Sequence, residues 1–288
     1  DVTTLINGVA ADHIKIDDRS IHYGDGLFET ILCEGNDLFY WPQHYHRLQS
    51  SAQKLKIACP DEQVLLDDIA KLLENNKVEQ NAAGPGCAIK IIISRGAGER
   101  GYKFSKKISA QRFVLFSTIE FDYSSLLSGK LITGDLYVCK QQASINEDLA
   151  GLKHLNRLEN VMARSEWNAE YIDGLMLNAN NNVIEGTMSN LFAVRDKQLL
   201  TPDLKLSGVN GVMREAVIRI AADNDIKLSV NDLTLDNLEN MDELFITNSL
   251  IGMKSVNKLN NWQCDNHDVS DKLFSALLKD MDKNVRAV

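Results

Sequence analysis

The sequence predicts a mixed α+β protein of two domains. Segments of period two and period 3.6 follow one another irregularly, without the strict strand–helix–strand alternation of a doubly wound sheet. The 288 residues are 44% hydrophobic and 25% charged, which is ordinary for a globular chain. At that length a large core can form without disulfide or metal staples. No internal repeat or low-complexity stretch appears. The expected organisation is a small α+β domain at residues 1–120, a linker at 121–128, and a larger domain at 129–288.

The elements follow in order. Thr3-Thr4-Leu5-Ile6-Asn7-Gly8 is a strand closed by an Asn-Gly turn. Residues 27–33 are β-rich, Glu34-Gly35-Asn36 turns, and Leu38-Phe39-Tyr40-Trp41 returns as a hairpin. Pro42 opens a helix whose Tyr45, Leu48, Ala52 and Leu55 share a face. A second helix is expected at 61–77, with Leu65, Ile69, Leu72 and Leu73 inward. Residues 88–94 and 112–119 are nearly continuous apolar runs and so predict buried strands. Beyond the linker, 131–140 reads as a strand. Leu155, Leu158, Met162 and Trp167 mark a helix over 156–171. Further strands are expected at 174–178, 183–185, 190–194, 197–201 and 243–247. Helices follow Gly211, with Val212, Ala216, Val217 and Ile220 on one face, and close the chain at 269–281.

Lys plus Arg is 31 and Asp plus Glu is 40, a net charge of −9. An acidic chain without a long basic run is a poor partner for nucleic acid or for anionic membrane. The apolar runs, Ile91-Ile92-Ile93 among them, fall far short of the roughly 20 residues of a membrane span. The five cysteines are scattered, without a CxxC pair, and predict a reducing compartment without a disulfide framework. Asp1 is followed by no basic and apolar leader, so cytoplasmic residence is expected.

Several residues could carry chemistry. Ser207-Gly208-Val209-Asn210-Gly211-Val212-Met213-Arg214 runs a glycine loop into a helix, where free N–H groups and the helix dipole favour an anion. A plain turn is the bland equivalent, and no Walker lysine is present. Lys153, in Gly151-Leu152-Lys153-His154-Leu155-Asn156, could act as a Schiff-base amine if its pKa is lowered. His44 and His46 fall on different helix faces and read as structural or solvated, so no metal site is expected. Arg95 and Arg100 flank Gly96-Ala97-Gly98, where a guanidinium could meet a carboxylate.

Taken in order, these segments resemble the class IV, fold-type IV pyridoxal-phosphate enzymes over nearly the whole chain. The resemblance rests on Ile6-Asn7-Gly8, Asp17-Asp18-Arg19, Tyr23-Gly24-Asp25-Gly26-Leu27-Phe28-Glu29-Thr30 and His46-Arg47-Leu48. It continues in Lys153-His154-Leu155-Asn156, in the block from Glu185 to Phe192, and in Gly208 to Arg214. The segments KHLNRLENVMARSE and ISRGAGERGY look most like the aminodeoxychorismate lyase branch.

The resemblance implies a small N-terminal domain and a larger one with a barrel-like β core, with the site in the cleft between them. It implies pyridoxal 5'-phosphate as cofactor, with Lys153 as its Schiff-base amine and proton carrier. Glu185 would pair with the pyridine nitrogen. Arg47, the Val212 and Met213 amides and the Ser249 hydroxyl would hold the phosphate. Arg100 would meet a carboxylate of 4-amino-4-deoxychorismate, and Thr30 is a candidate proton relay. In transaminase relatives the matching loop reaches in from the other subunit, which implies a homodimer with shared sites. Glu29-Thr30 is shared with transaminases, some lyases having Thr at 29, and Arg157 stands where transaminases carry Leu or a nearby Tyr. A D-amino-acid or branched-chain transaminase therefore stays open, as does a non-catalytic binder of a small anion.

Overall fold

The computed structural model describes residues 3–76, 86–119, 126 and 128–288. The chain forms two compact units. The first comprises Asp1–Tyr123, Lys153–Asn156 and Asn284–Val288; the second comprises Ser124–Leu152 and Arg157–Lys283. Of the expected linker, residues 121–125 and 127 lie outside the described residues.

The first unit contains β1 (Thr4–Ile6), β2 (Val9–Ala10), α1 (Arg19–Tyr23), β3 (Gly26–Glu34), β4 (Asp37–Phe39), α2 (Trp41–Leu55), α3 (Glu62–Asn75), β5 (Cys87–Ser94) and β6 (Gln111–Thr118). The C-terminal strand β16 (Val285–Ala287) joins them, giving the order β16-β4-β3-β5-β6-β1-β2 with antiparallel pairing throughout. Ile89, Ile91 and Ile93 alternate onto the face covered by α2 and α3, joining Leu27, Ile31, Leu48, Leu65 and Ile69 in one core. Phe28, Thr30 and Lys90 consequently belong to the opposite face. Pro42 sits in the first turn of α2, where its missing N–H costs nothing. Trp41, expected as strand, is instead the first helical residue, and its indole N–H donates to Glu62 at 2.7 Å.

The second unit contains β7 (Ile132–Val138), α4 (Leu158–Arg164), β8 (Tyr171–Leu177), β9 (Val183–Gly186), β10 (Asn190–Arg195), β11 (Gln198–Pro202), α5 (Val212–Asp223), β12 (Leu228–Asn231), α6 (Leu235–Leu238), β13 (Glu243–Asn248), β14 (Gly252–Leu259), β15 (Trp262–Gln263) and α7 (Asp268–Lys283). Its sheet runs β12-β11-β10-β13-β14-β7-β8-β9, with β15 on β14, and curls as a half-barrel. β11–β12, β14–β7 and β7–β8 are parallel and the other pairs antiparallel. Leu175, Leu191, Leu244, Ile246 and Val256 form one core. Helices α5 and α7 pack on β13. Glu243 docks α7 by accepting from the Val269 and Ser270 N–H groups, each at 2.8 Å.

Two further expectations are corrected. The helix predicted over 156–171 is only Leu158–Arg164. Its start is delayed because the preceding residues are drawn out beside β3, where Leu27 bridges His154. It ends early because Glu166 turns to accept from the Lys140 and Gln141 N–H groups. Leu158 and Met162, which marked the helix in the sequence, are 73% and 52% exposed, and Val161 beside them is 62% exposed. The cysteines also depart from expectation. Cys33 and Cys87 lie directly opposite in the β3–β5 register and are joined as a disulfide. Their 54-residue separation hides that register from the sequence. Cys59, Cys139 and Cys264 are free.

Trp41→Phe keeps most of the buried area but removes the indole donor that ties α2 to α3. It should cost about 1–2 kcal/mol in urea denaturation of the full chain. An unchanged midpoint would show that the bond to Glu62 contributes nothing.

Candidate active site

The N-terminal half of β3 is where the first unit gathers chemistry. β4 pairs with β3 only at Cys33 and Glu34, so the Gly26–Phe28 edge is available to another segment. Residues 153–155 take it: Phe28 N–H donates to the Lys153 carbonyl at 2.9 Å, and Leu155 N–H to the Gly26 carbonyl at 3.0 Å. A Cβ on Gly26 would lie 2.5 Å from the Ile93 carbonyl oxygen of β5 and 2.7 Å from the Leu155 side chain, so glycine is required here first by the β5 backbone and then by the arriving segment. The Asn156 amide fixes the far end by donating to the Gly24 carbonyl at 3.0 Å. The Lys153 ammonium thereby stands 4.3 Å from the centre of the Phe28 ring. Lys90 places a second ammonium 5.2 Å from the same ring, and Thr30 pairs directly with Lys90 across β3–β5.

Glu29 points to the α2 side. Its carboxylate is 1% exposed and is gripped as a fork by Arg47, Nε at 2.7 Å and Nη2 at 2.6 Å. His44 Nδ1 lies 2.7 Å from the same carboxylate. Burial raises the Glu29 pKa, but the Arg47 charge and hydrogen bonds, with His44, overcome it and hold it at about 2. Burial pushes His44 below its ordinary value, so the ring is neutral at neutral pH and donates to the carboxylate. Arg47 is thus oriented by a carboxylate on the neighbouring strand. His46, on another face of the helix, is exposed.

The second unit organises the Val209 peptide. Glu185, 6% exposed at the end of β9, accepts from Val209 N–H at 2.8 Å. Asn190, at the start of β10, donates to the Val209 carbonyl at 2.9 Å. Its amide lies so close to Gly211 that a Cβ there would collide with Oδ1. Gly211 is the N-cap of α5 and makes no side-chain cap hydrogen bond, so the Val212 and Met213 amides open a twelve-residue helix in a setting suited to an anion. Ser249 follows β13 in a turn braced by the Asn248 side chain, which accepts from Leu250 and Ile251 N–H, each at 2.9 Å. These groups fit an anionic phosphate and a ring with a protonated nitrogen, as pyridoxal 5'-phosphate requires.

A buried anion holds the turn between Glu185 and Asn190. Asp173 is wholly buried and accepts from the Thr187 hydroxyl at 2.5 Å, Thr187 N–H at 3.1 Å and the Ser189 hydroxyl at 2.6 Å. Arg157 donates from Nη2 to the Leu152 carbonyl at 3.3 Å, closing the base of the loop that carries Lys153. Burial lowers the Arg157 pKa against the opposing charges of Glu185 and Glu159.

The structure gathers Lys153 and Thr30 around Phe28 in one unit, and Glu185 with the Val212 and Met213 amides in the other. Arg100 stands on an exposed loop. Arg95, offered with it as a carboxylate partner, is instead 6% exposed and spent on Asp25 and on the Leu55 and Lys56 carbonyls. The sequence reading missed Lys90 and Asp173. Lys90 did leave a signal, a lone charge inside the apolar run Cys87–Ser94. Asp173 left none, since its partners lie 14 to 16 positions away. No helix among the described residues is long and apolar enough to cross a membrane.

Because the folded Glu29 pKa lies below its ordinary 4.5, its stabilisation is fully present above pH 4.5 and is lost as pH falls towards 2. Glu29→Gln should lower stability at pH 7 by roughly 3 kcal/mol and flatten the acid limb of the stability profile. An acid limb unchanged by the mutation would show that Glu29 does not carry this linkage.

The amino-transferase class IV family model matches residues 26–259. An aminodeoxychorismate lyase of Vibrio harveyi is 38% identical over 252 residues, 87% of this chain and 89% of its own length. The crystal structure of 4-amino-4-deoxychorismate lyase from Pseudomonas aeruginosa matches with a TM-score of 0.86 and 31% identity, covering 97% of this chain and 99% of the other. The branched-chain aminotransferase of the thermophilic archaeon Thermoproteus uzoniensis, crystallised with norvaline, matches with a TM-score of 0.83, covering 99% of each chain. At 22% identity it shows likeness of fold alone. The matched span runs from the β3 edge that receives Lys153 to the end of β14, taking in both constellations, and the chain belongs to the class IV amino-transferase family.

Proposed function

We propose that the protein is a 4-amino-4-deoxychorismate lyase that uses pyridoxal 5'-phosphate and releases 4-aminobenzoate and pyruvate. The observation that carries this reading is 38% identity to a lyase of that name across 87% of the chain. The donor sets around Lys153 and Gly211 fit the same cofactor. When bound, that cofactor supplies an aldehyde that condenses with amines and a ring that accepts the charge left by a departing proton.

The chain's own residues supply the rest. Lys153 holds the cofactor, yields to the substrate amine, and then takes the proton from the ring carbon bearing that amine. Enolpyruvate leaves from the adjacent carbon, and gain of aromaticity drives the step. Glu185 keeps the pyridine nitrogen protonated. Arg47, the Val212 and Met213 amides and the Ser249 hydroxyl bind the phosphate. The substrate is a dianion, and Arg100 and Lys90 offer cations of different geometry for its carboxylates. The Thr30 hydroxyl serves as the proton relay in this reading, supported by its lying on the same strand face as Phe28.

A homodimer is part of the same reading. The exposed Leu158, Val161 and Met162 sit at i, i+3 and i+4 on α4, an apolar stripe that a second copy would cover. The folate-precursor chemistry carries with it a cytoplasmic setting. A transaminase reading is favoured by Glu29-Thr30, and a half-reaction separates the two. With an amino acid alone a transaminase converts the cofactor to its amine form, whereas the lyase retains the aldehyde form.

Borohydride reduction followed by peptide mapping should leave the pyridoxyl group on Lys153; a label on Lys90 would overturn the assignment. Glu185→Gln should bind cofactor nearly as well but lose kcat by about 100-fold or more, since the neutral amide holds the ring proton poorly. Near-normal turnover would mean that Glu185 serves only the Val209 peptide.

A further inference from the structure

The loop between β5 and β6 carries Arg100 and is fixed by an ionic cluster to which the reaction assigns no role. Asp25, its side chain 15% exposed, receives two guanidinium groups on one oxygen. Arg19 Nε and Arg95 Nε each donate to Oδ2 at 2.8 Å. Burial raises the Asp25 pKa, but the hydrogen bonds from Arg95 and Arg19 outweigh it, and the carboxyl is held below its ordinary value.

Each arginine then reaches the loop. Arg19, 4% exposed, donates from Nη1 to the Gly101 carbonyl at 2.9 Å and from Nη2 to the Tyr102 carbonyl at 3.0 Å. These are the two residues immediately after Arg100. The Tyr23 hydroxyl accepts from Gly101 N–H at 3.1 Å, and the centre of the Tyr23 ring lies 4.8 Å from the Arg19 guanidinium and 5.4 Å from the Tyr102 ring. Arg95 stacks on Phe104, 3.8 Å from the ring centre. The backbone flanking Arg100 is thereby gripped on its C-terminal side, while the Arg100 side chain remains exposed.

We propose that Asp25, Arg19 and Arg95 form a clasp that presents Arg100 to the substrate carboxylate, which makes Arg19 a positioning residue for substrate recognition. The proposal rests on the reading of Arg100 given above. A planar fork is required, because one side chain must serve Asp25 and two carbonyls in different directions. A lysine at position 19 could keep the charge on Asp25 but not both carbonyls. The clasp acts on binding rather than on the proton transfers, since none of its members lies on the strand face with Lys153 and Thr30.

The test uses the full-length, cofactor-loaded protein. In the absence of substrate, Arg19→Met should speed tryptic cleavage after Arg100, Lys103, Lys106 and Lys107 about tenfold, as the gripped backbone opens. With substrate, Arg100→Ala and Arg19→Met should each raise KM about tenfold and change kcat less than twofold, leaving the cofactor absorption intact. The double variant should be no worse than Arg100→Ala, because Arg19 acts through Arg100. If Arg19→Met does not fold, Arg19→Lys carries the same test, keeping a charge beside Asp25 while losing the fork. If Arg100→Ala raises KM while the Arg19 variants do not, or if the two effects multiply, the clasp is refuted and the reading of Arg100 stands. If Arg100→Ala leaves KM unchanged, the reading of Arg100 fails and the clasp's role in recognition fails with it, whatever the proteolysis shows.

Discussion

A carboxylate taken out of water must be met by donors on every side, or it will not stay charged. Glu29 is the clearest case. It lies on a central strand of the first sheet, and its charge survives only because Arg47 and His44 arrive from the same helix at i and i+3. That requirement fixes how α2 sits on β3, and the packing of Leu48 and Ala52 beside it follows. The residue that would hold a phosphate is therefore aimed by the same bond that docks the helix.

The same logic recurs away from Glu29. Asp18 caps α1 and accepts from Ser94 at 2.6 Å, joining the helix to the end of β5. Asp25 collects two arginines. Asp173 folds the 186–189 turn around itself, and Glu243 receives the first turn of α7. Asp18 and Glu243 satisfy N–H groups at the start of a helix, which lack intrahelical partners, whereas Asp25 is met by arginine side chains and Asp173 chiefly by hydroxyls. The acidic balance of the chain, −9 overall, is thus partly structural: some of its carboxylates are anchors that donors from distant segments must find.

Lys153 gains its place by a different route, through main chain. Its segment completes an unfilled edge of β3, so the ammonium is positioned by strand hydrogen bonds rather than by a long flexible stem alone. Such positioning narrows the range of the amine before any ligand arrives, which lowers the entropic cost of reaction. The glycines of Tyr23-Gly24-Asp25-Gly26 belong to the same corner: Gly24 is left-handed at φ +61°, and Gly26 leaves room for the Ile93 carbonyl of β5 and for the Leu155 side chain.

The sequence by itself determined most of what is local. Asn-Gly and Gly-Asn turns, Pro42 and the apolar periodicities placed the hairpins, α2, α3, α5 and α7 close to where they lie, because those signals act within a few residues. The motif blocks around Lys153, Glu185 and Gly211 carried the resemblance to the family that the class IV match bears out. Tertiary structure alone decided what depends on register and on partners remote in the chain. The helix expected from residue 156 starts at Leu158 because β3 recruits the residues before it, a competition invisible to periodicity. Cys33 meets Cys87 because β3 and β5 pair without slip over eight residues. Lys90 and Thr30 face Phe28 through that same register. Arg95 looked available for a ligand and is buried, because Asp25, seventy positions earlier, needs its charge. In each case a local preference met a non-local demand for hydrogen-bond or charge satisfaction, and the demand won because an unpaired buried group costs more than a turn of helix contributes.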